Sequence, residues 1–390
     1  MSRLTVVDIR DELYKRQIEI VEVTEEHIYY AEEKNVEDID AIYLLDYNCV
    51  EEQEKVMAYF TFDDSSYIQH YYASENSIII LFENDSSKIW IVKIDKATGG
   101  EVLRKSVPLV GRFSSCVMID DNNLVIYTKA DEESKGLFNR CLETTDSETI
   151  ANLYDLERGY RYFIKDFRTA GLLDGDMHRF TDSKGREYML LCDPFSDEAS
   201  KEAYAGEAKK IGKDVRDNIW SISKKRFLDG VKAGKEQLEL KRIASAGIDG
   251  MVRFECISGD SIVFRAKKFS TGQETFCAMS TVSGKVVPVS DVKKRSGKVK
   301  YFTDNGSGKI YRLVSEDNLI TLEGEVNSNA QITVPQGIGK IEGCIDDRFV
   351  VADNSSTDEE PVLSLYDSRL NTLDTFQAHC KTKGKVLVLF

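Results

Sequence analysis

Short apolar runs rich in Ile, Val, Tyr and Phe alternate along this chain with clusters of Asp, Asn, Gly and Ser. That is the pattern of β-strands closed by tight turns. Residues 76–82, Asn-Ser-Ile-Ile-Ile-Leu-Phe, read as one strand and 88–95, Lys-Ile-Trp-Ile-Val-Lys-Ile-Asp, as the next. Thr98-Gly99-Gly100 then turns the chain into a third strand at 101–103, with glycine supplying the positive φ of a hairpin.

The same order recurs. Residues 260–265, 275–279 and 283–287 repeat it, as do 309–314 with 318–322, and 348–351 with 362–367. We letter the strands of each unit A to D in chain order. The B strands then begin near His27, Ser77, Leu124, Tyr188, Ser261, Ile310 and Phe349. Their spacing is about 40 to 50 residues, the period of four-stranded blades, with longer gaps before Tyr188 and Ser261. The pattern predicts an all-β fold: a seven-bladed β-propeller of four-stranded antiparallel blades, forming one domain over residues 1–390. Residues 4–9 and 385–390 are strand-like ends suited to closing it. The long gaps place B–C inserts at 129–147 in blade 3 and at about 194–217 in blade 4. The second reads as a short helix, with Ser196 as its cap and Gly212 as its stop.

The apolar strand ending in Ile94-Asp95, followed by the Thr98-Gly99 turn, resembles the propellers of the Tricorn, dipeptidyl-peptidase and quinoprotein types. The resemblance is one of fold and implies no particular activity. WD-repeat propellers share the period, but their Gly-His and Trp-Asp signatures are absent, and Trp90 and Trp220 are the only tryptophans.

A formal net charge of −15 disfavours phosphate backbones, so no nucleic acid is expected as a partner. No apolar run reaches the length of a membrane span, and Met1 to Asp8 lacks the features of a secretion signal. The eight cysteines form no CxxC pair, which fits reduced thiols in a cytoplasmic protein. Nucleophile elbow, P-loop and dinucleotide motifs are missing, and the four histidines are scattered. No metal or cofactor site is therefore expected, and nothing calls for more than a monomer.

Candidate binding residues come from the openings of the A strands. Asp174-Gly175-Asp176-Met177-His178-Arg179-Phe180 and Asp249-Gly250-Met251-Val252-Arg253-Phe254 share an Asp-Gly turn followed by Arg-Phe. Arg112 and Lys300 take similar positions, and Tyr67 and His70 open blade 2. Such cations suit a carboxylate or phosphate at the channel mouth; they equally suit pairing with nearby aspartates that fasten adjacent blades. The B–C loops look acidic at Glu32-Glu33, Glu37-Asp38, Asp131-Glu132-Glu133 and Asp358-Glu359-Glu360. Long, charged loops on a rigid scaffold point to a non-enzymatic protein- or peptide-binding propeller. The alternative is a binding protein or enzyme for a small anionic ligand, such as a sugar acid.

Overall fold

The computed structural model describes residues 4–10, 17–36, 39–61, 68–83, 88–129, 131, 149–166, 177–193, 217–247, 249–258, 260–292, 299–304, 310–316, 319–323, 331–334, 340–353, 361–383 and 385–390. It contains seven four-stranded antiparallel sheets, each made of four strands consecutive in sequence. These blades span residues 17–61, 68–108, 112–163, 177–246, 250–292, 299–334 and 340–377. Their B strands are His27–Val36, Ser77–Glu83, Asn123–Lys129, Glu187–Asp193, Ser261–Lys268, Ile310–Glu316 and Arg348–Ala352, each starting at or one residue before the position the pattern marked. The B strand of blade 2 lacks polar alternation because both of its faces are covered. In blade 2, Ser77 to Phe82 are all buried.

The chain divides into two compact units. One holds blades 1, 6 and 7 with the hairpin turn at 94–102; the other, residues 68–93 and 103–294, holds blades 3, 4 and 5 and most of blade 2. Within the first unit the chain ends do not complete any of the seven blades. Thr5–Asp8 pairs in parallel with Val386–Leu389, which pairs with Cys380–Lys383, giving a separate three-stranded sheet. Cys380–Lys383 lies against the A strands of blades 7 and 1. Val7, Ile9, Val386 and Val388 bury themselves in one cluster with Ile20, Val23 and Ile28 of blade 1.

The C–D turns explain the repeat. In blades 2, 3 and 5 an Asp or Ser is followed four residues later by a glycine with positive φ: Asp95 to Gly99 (69°), Asp155 to Gly159 (71°) and Ser280 to Gly284 (70°). Asp95 Oδ1 accepts the Thr98 N–H at 2.9 Å, and Gly99 N–H closes the turn on the Asp95 carbonyl. Blade 1 keeps the spacing with Asn48, whose Oδ1 accepts from Val50 and Glu51, but its left-handed position is held by Glu52 at φ 53°. A residue with a Cβ pays about 1 kcal/mol there. Glu52→Gly is therefore expected to raise stability by about 0.5–1 kcal/mol; equilibrium urea unfolding measures it.

Aspartates also fasten neighbouring blades, though with serines and backbone amides in place of arginines. Asp121 of blade 3 accepts hydrogen bonds from Ser74, Asn76 and Ser77 of blade 2. Asp260 of blade 5 takes the Ser183 N–H of blade 4 at 2.5 Å. Asp304 of blade 6, fully buried, accepts from the N–H groups of Asp346 and Asp347 of blade 7 at 2.8 and 2.6 Å. Burial opposes the ionisation of Asp121, but the hydrogen bonds from Ser74, Asn76 and Ser77 outweigh it, and its pKa falls from 3.8 to about 2. The ionised group thus stabilises the fold above pH ~4, and that contribution is lost as pH falls towards 2. Asp121→Asn is expected to flatten the acid limb of a stability–pH curve between these values.

Two sequence expectations change. Glu32 and Glu33 are not in a loop: they lie within the ten-residue strand His27–Val36, where Glu32 is buried and paired with Lys34 at 3.0 Å. The proposed inserts, including the helix between Ser196 and Gly212, fall almost entirely outside the described residues, as do Glu37-Asp38, Glu132-Glu133 and Asp358-Glu359-Glu360. Among the described residues the one helix is α1, Lys224–Lys232, in the C–D connection of blade 4. Ser223 caps it by accepting from the Arg226 N–H, and Phe227 and Val231 bury its inner face. Lys232 reaches Asp155 of blade 3 at 2.7 Å, and the Leu238 N–H donates to the buried Asp166 at 2.7 Å, so helix and following turn are tied to blade 3. No helix among the described residues is long and apolar enough to cross a membrane.

Candidate functional site

The A strands of blades 2 to 5 in the second unit wall a cavity of about 810 Å³. Tyr72 comes from blade 2, Cys116 and Met118 from blade 3, His178 and Arg179 from blade 4, and Phe254 and Cys256 from blade 5. The cavity reaches Ala73, Thr181 and Ile257, at or near the C-terminal ends of their A strands. That is the end of the A–B turns and C–D connections, the opposite end from the B–C loops that drew attention in the sequence. The α1 helix stands there because it lies in a C–D connection, and it adds Lys224 to the wall.

Register explains the grouping. Arg179 sits opposite Met189, and Thr181 opposite Glu187, in the A–B hairpin of blade 4. Tyr188 sits opposite Ser223, so the next residue, Lys224, falls beside Glu187, with Nζ 2.5 Å from Oε2. The His178 ring packs against Phe254 of blade 5, with centroids 4.2 Å apart and planes tilted by 34°. Arg179 is exposed and, among the described residues, has neither a hydrogen bond nor an ion pair. Met118, Met177 and Met189 border the cavity but are almost wholly buried in the cores between blades, so they back its wall and present little surface to it. Burial pushes the Cys116 thiol pKa well up, so this sulfur stays neutral and unreactive.

Of the residues singled out in the sequence, the cavity brings together His178 and Arg179. His70 lies in the A strand of blade 2, 3.1 Å from Glu83 and with its ring tilted against Phe113 of blade 3 at 4.7 Å, the same ring-on-phenylalanine contact that His178 of blade 4 makes with blade 5. Arg112 opens the A strand of blade 3, exposed and opposite Lys129. Arg253 stands opposite Arg265, a like-charge pair relieved by Glu255, which lies 2.8 Å from Arg265 Nε. Lys300 lies in the A strand of blade 6, and nothing of its side chain is described; Tyr67 lies outside the described residues. Tyr72, Tyr188, Glu187 and Lys224 were missed. Lys224 had a signal: Ser223 followed by Phe227, Leu228 and Val231 at helical spacing, with Gly234 after them.

No protein-family model matches the chain, and no curated protein matches it in sequence. Solved structures do match it. A structure from an analysis of two prolyl endopeptidases matches with a TM-score of 0.56 and 9% identity, over 93% of this chain and 50% of that one. The chain is a β-propeller. Prolyl oligopeptidase B from Galerina marginata matches this propeller with a TM-score of 0.52 and 11% identity, over 90% of this chain and 48% of that one. The β-propeller domain of the Trilobed protease from Pyrococcus furiosus gives 0.47 and 10%, over 93% and 95%. The propeller thus spans about half the length of the two prolyl peptidase structures. At such identities the likeness is one of fold, and propellers carry many unrelated functions.

Proposed function

We propose that this propeller binds a small anionic ligand in the cavity walled by blades 2 to 5. One observation carries the reading: Arg179, free of any partner among the described residues, stands at a cavity that also presents Lys224 and His178. Its volume of about 810 Å³ lies in the range of small-molecule sites. An arginine fork offers paired donors to a carboxylate or phosphate, and Lys224 adds a second cation from a different element. Tyr72, Tyr188 and Phe254 supply flat surfaces for the rest of the ligand. This favours the small-ligand alternative over a protein- or peptide-binding surface at this cavity. The test is a thermal-shift panel of acetate, decanoate, glucuronate and inorganic phosphate at constant ionic strength. At least one anion is expected to stabilise the wild type and to lose that effect in Arg179→Ala; equal shifts in both proteins would refute the assignment.

A further inference from the structure

Within the first unit, the two chain ends build a sheet shaped like a blade cut short by one strand. Cys380–Lys383 lies against the A strands of blades 7 and 1, and Val386–Leu389 beside it is buried along its length. Val386 and Val388 pack into the cluster of blade 1, Leu387 and Leu389 into that of blade 7. Thr5–Asp8 is the third strand, and among the described residues no strand pairs with its outer edge. Blades 1 and 7 each have four strands, so this edge lies one strand spacing, about 4.8 Å, below the rims on either side. The slot suits a strand. Thr5 and Ile9 donate their N–H groups to Lys385 and Leu389, so the backbone groups of Val6 and Asp8 point outward. Tyr43 and Leu45 of blade 1 face the terminal sheet. Tyr59 and Val56 stand opposite them on the outer strand, 66% and 49% exposed where the terminal sheet stops short. Across the slot, Asp374 of blade 7 stands opposite Leu365, which also faces the sheet. Among the described residues Asp374 forms no ion pair, and its carboxylate accepts the Thr375 N–H. Two copies of this chain do not zip edge to edge here, because both edges are recessed; a single extended strand fits. We propose that an extended segment of another protein, alternating apolar and basic residues, docks as the fourth strand. Its amides pair with Val6 and Asp8, its apolar side chains meet Val56 and Tyr59, and its basic ones meet Asp374.

The experiment is an anisotropy titration of the full chain against the labelled peptide Lys-Val-Lys-Val-Lys-Val-Lys at physiological salt. Saturable binding is expected. Val6→Pro removes an outward N–H and leaves the inward ladder intact, so it is expected to weaken binding about tenfold or more while the thermal midpoint holds. Tyr59→Ala and Asp374→Lys, both at exposed positions, are each expected to weaken it about three- to fivefold. Two further peptides are N-methylated, one at every valine and the other at every lysine. Successive N–H groups of a strand point to opposite edges, so one of the two is expected to bind like the parent and the other to fail. This pair decides the matter should Val6→Pro unfold the chain. Equal binding by both methylated peptides would mean mere charge attraction to an acidic protein and would overturn the proposal. No saturable binding up to about 1 mM would overturn it as well. A dimer of the free chain that Val6→Pro dissolves would make the occupant a second copy and refute the partner strand.

Discussion

Removal of residues 1–9 is expected to lower the stability of this propeller by about 3–6 kcal/mol, since the deletion takes Val7 and Ile9 out of the core. Each is nearly fully buried, and burying such a side chain contributes about 1.5–3 kcal/mol. The deletion also strips a parallel ladder from Val386–Leu389, including the Thr5 N–H to Lys385 carbonyl and Ile9 N–H to Leu389 carbonyl bonds, both 3.0 Å. Leu387 and Val388, now wholly buried, would meet water on the uncovered side. Domains of ordinary stability hold only about 5–15 kcal/mol in total, so the loss is a large share. Guanidinium unfolding of the truncated chain measures it. An unchanged midpoint would mean that the terminal sheet contributes nothing to the fold.

The second large effect concerns the cavity and has opposite signs at neighbouring residues. Glu187 occupies Lys224 at 2.5 Å and places a negative charge beside the anion site. Glu187→Gln frees the ammonium and removes that charge, so affinity for the anion selected by the thermal-shift panel is expected to rise about fivefold, as befits about 1 kcal/mol from a solvent-screened charge pair. Lys224→Gln is expected to lower it by a similar factor. Arg179→Ala, which removes a fork with no internal partner, is expected to cost about 10- to 100-fold. A gain of affinity on removing a carboxylate is hard to produce by damaging the fold. If Glu187→Gln binds that anion no better than the wild type, Lys224 does not take part in holding it.

The blades were legible because B strands such as that of blade 2 are apolar without alternation and the turns use Asp, Asn and Gly in a fixed order. Ser77–Glu83 and Lys88–Asp95 could be bounded residue by residue on that basis. The helix in blade 4 was not legible in the same way. Lys224, Lys225 and Arg226 put three cations, and no acid, at a helix N-terminus, against the usual preference of the helix dipole. The terminal strands were recognised, but their pairing with each other depends on contacts across almost the whole length of the chain. Half of the site followed from the local repeat that marks His178 and Arg179. The other half depends on strand register, which sets Glu187 against Thr181 and Ser223 against Tyr188. One-residue slips in either hairpin would send Lys224 to the other face, and a sequence pattern alone does not fix such slips.

The claim that the cavity of blades 2 to 5 is a ligand site is tested most directly by methyl spectra of the wild-type chain labelled at its seven methionines. The anion selected by the thermal-shift panel should displace the signals of Met118, Met177 and Met189, which back the cavity wall, together and saturably, while the signals of the remaining methionines hold still. Saturable shifts confined to methionines outside the cavity, or a spectrum that the anion leaves unchanged, would contradict it.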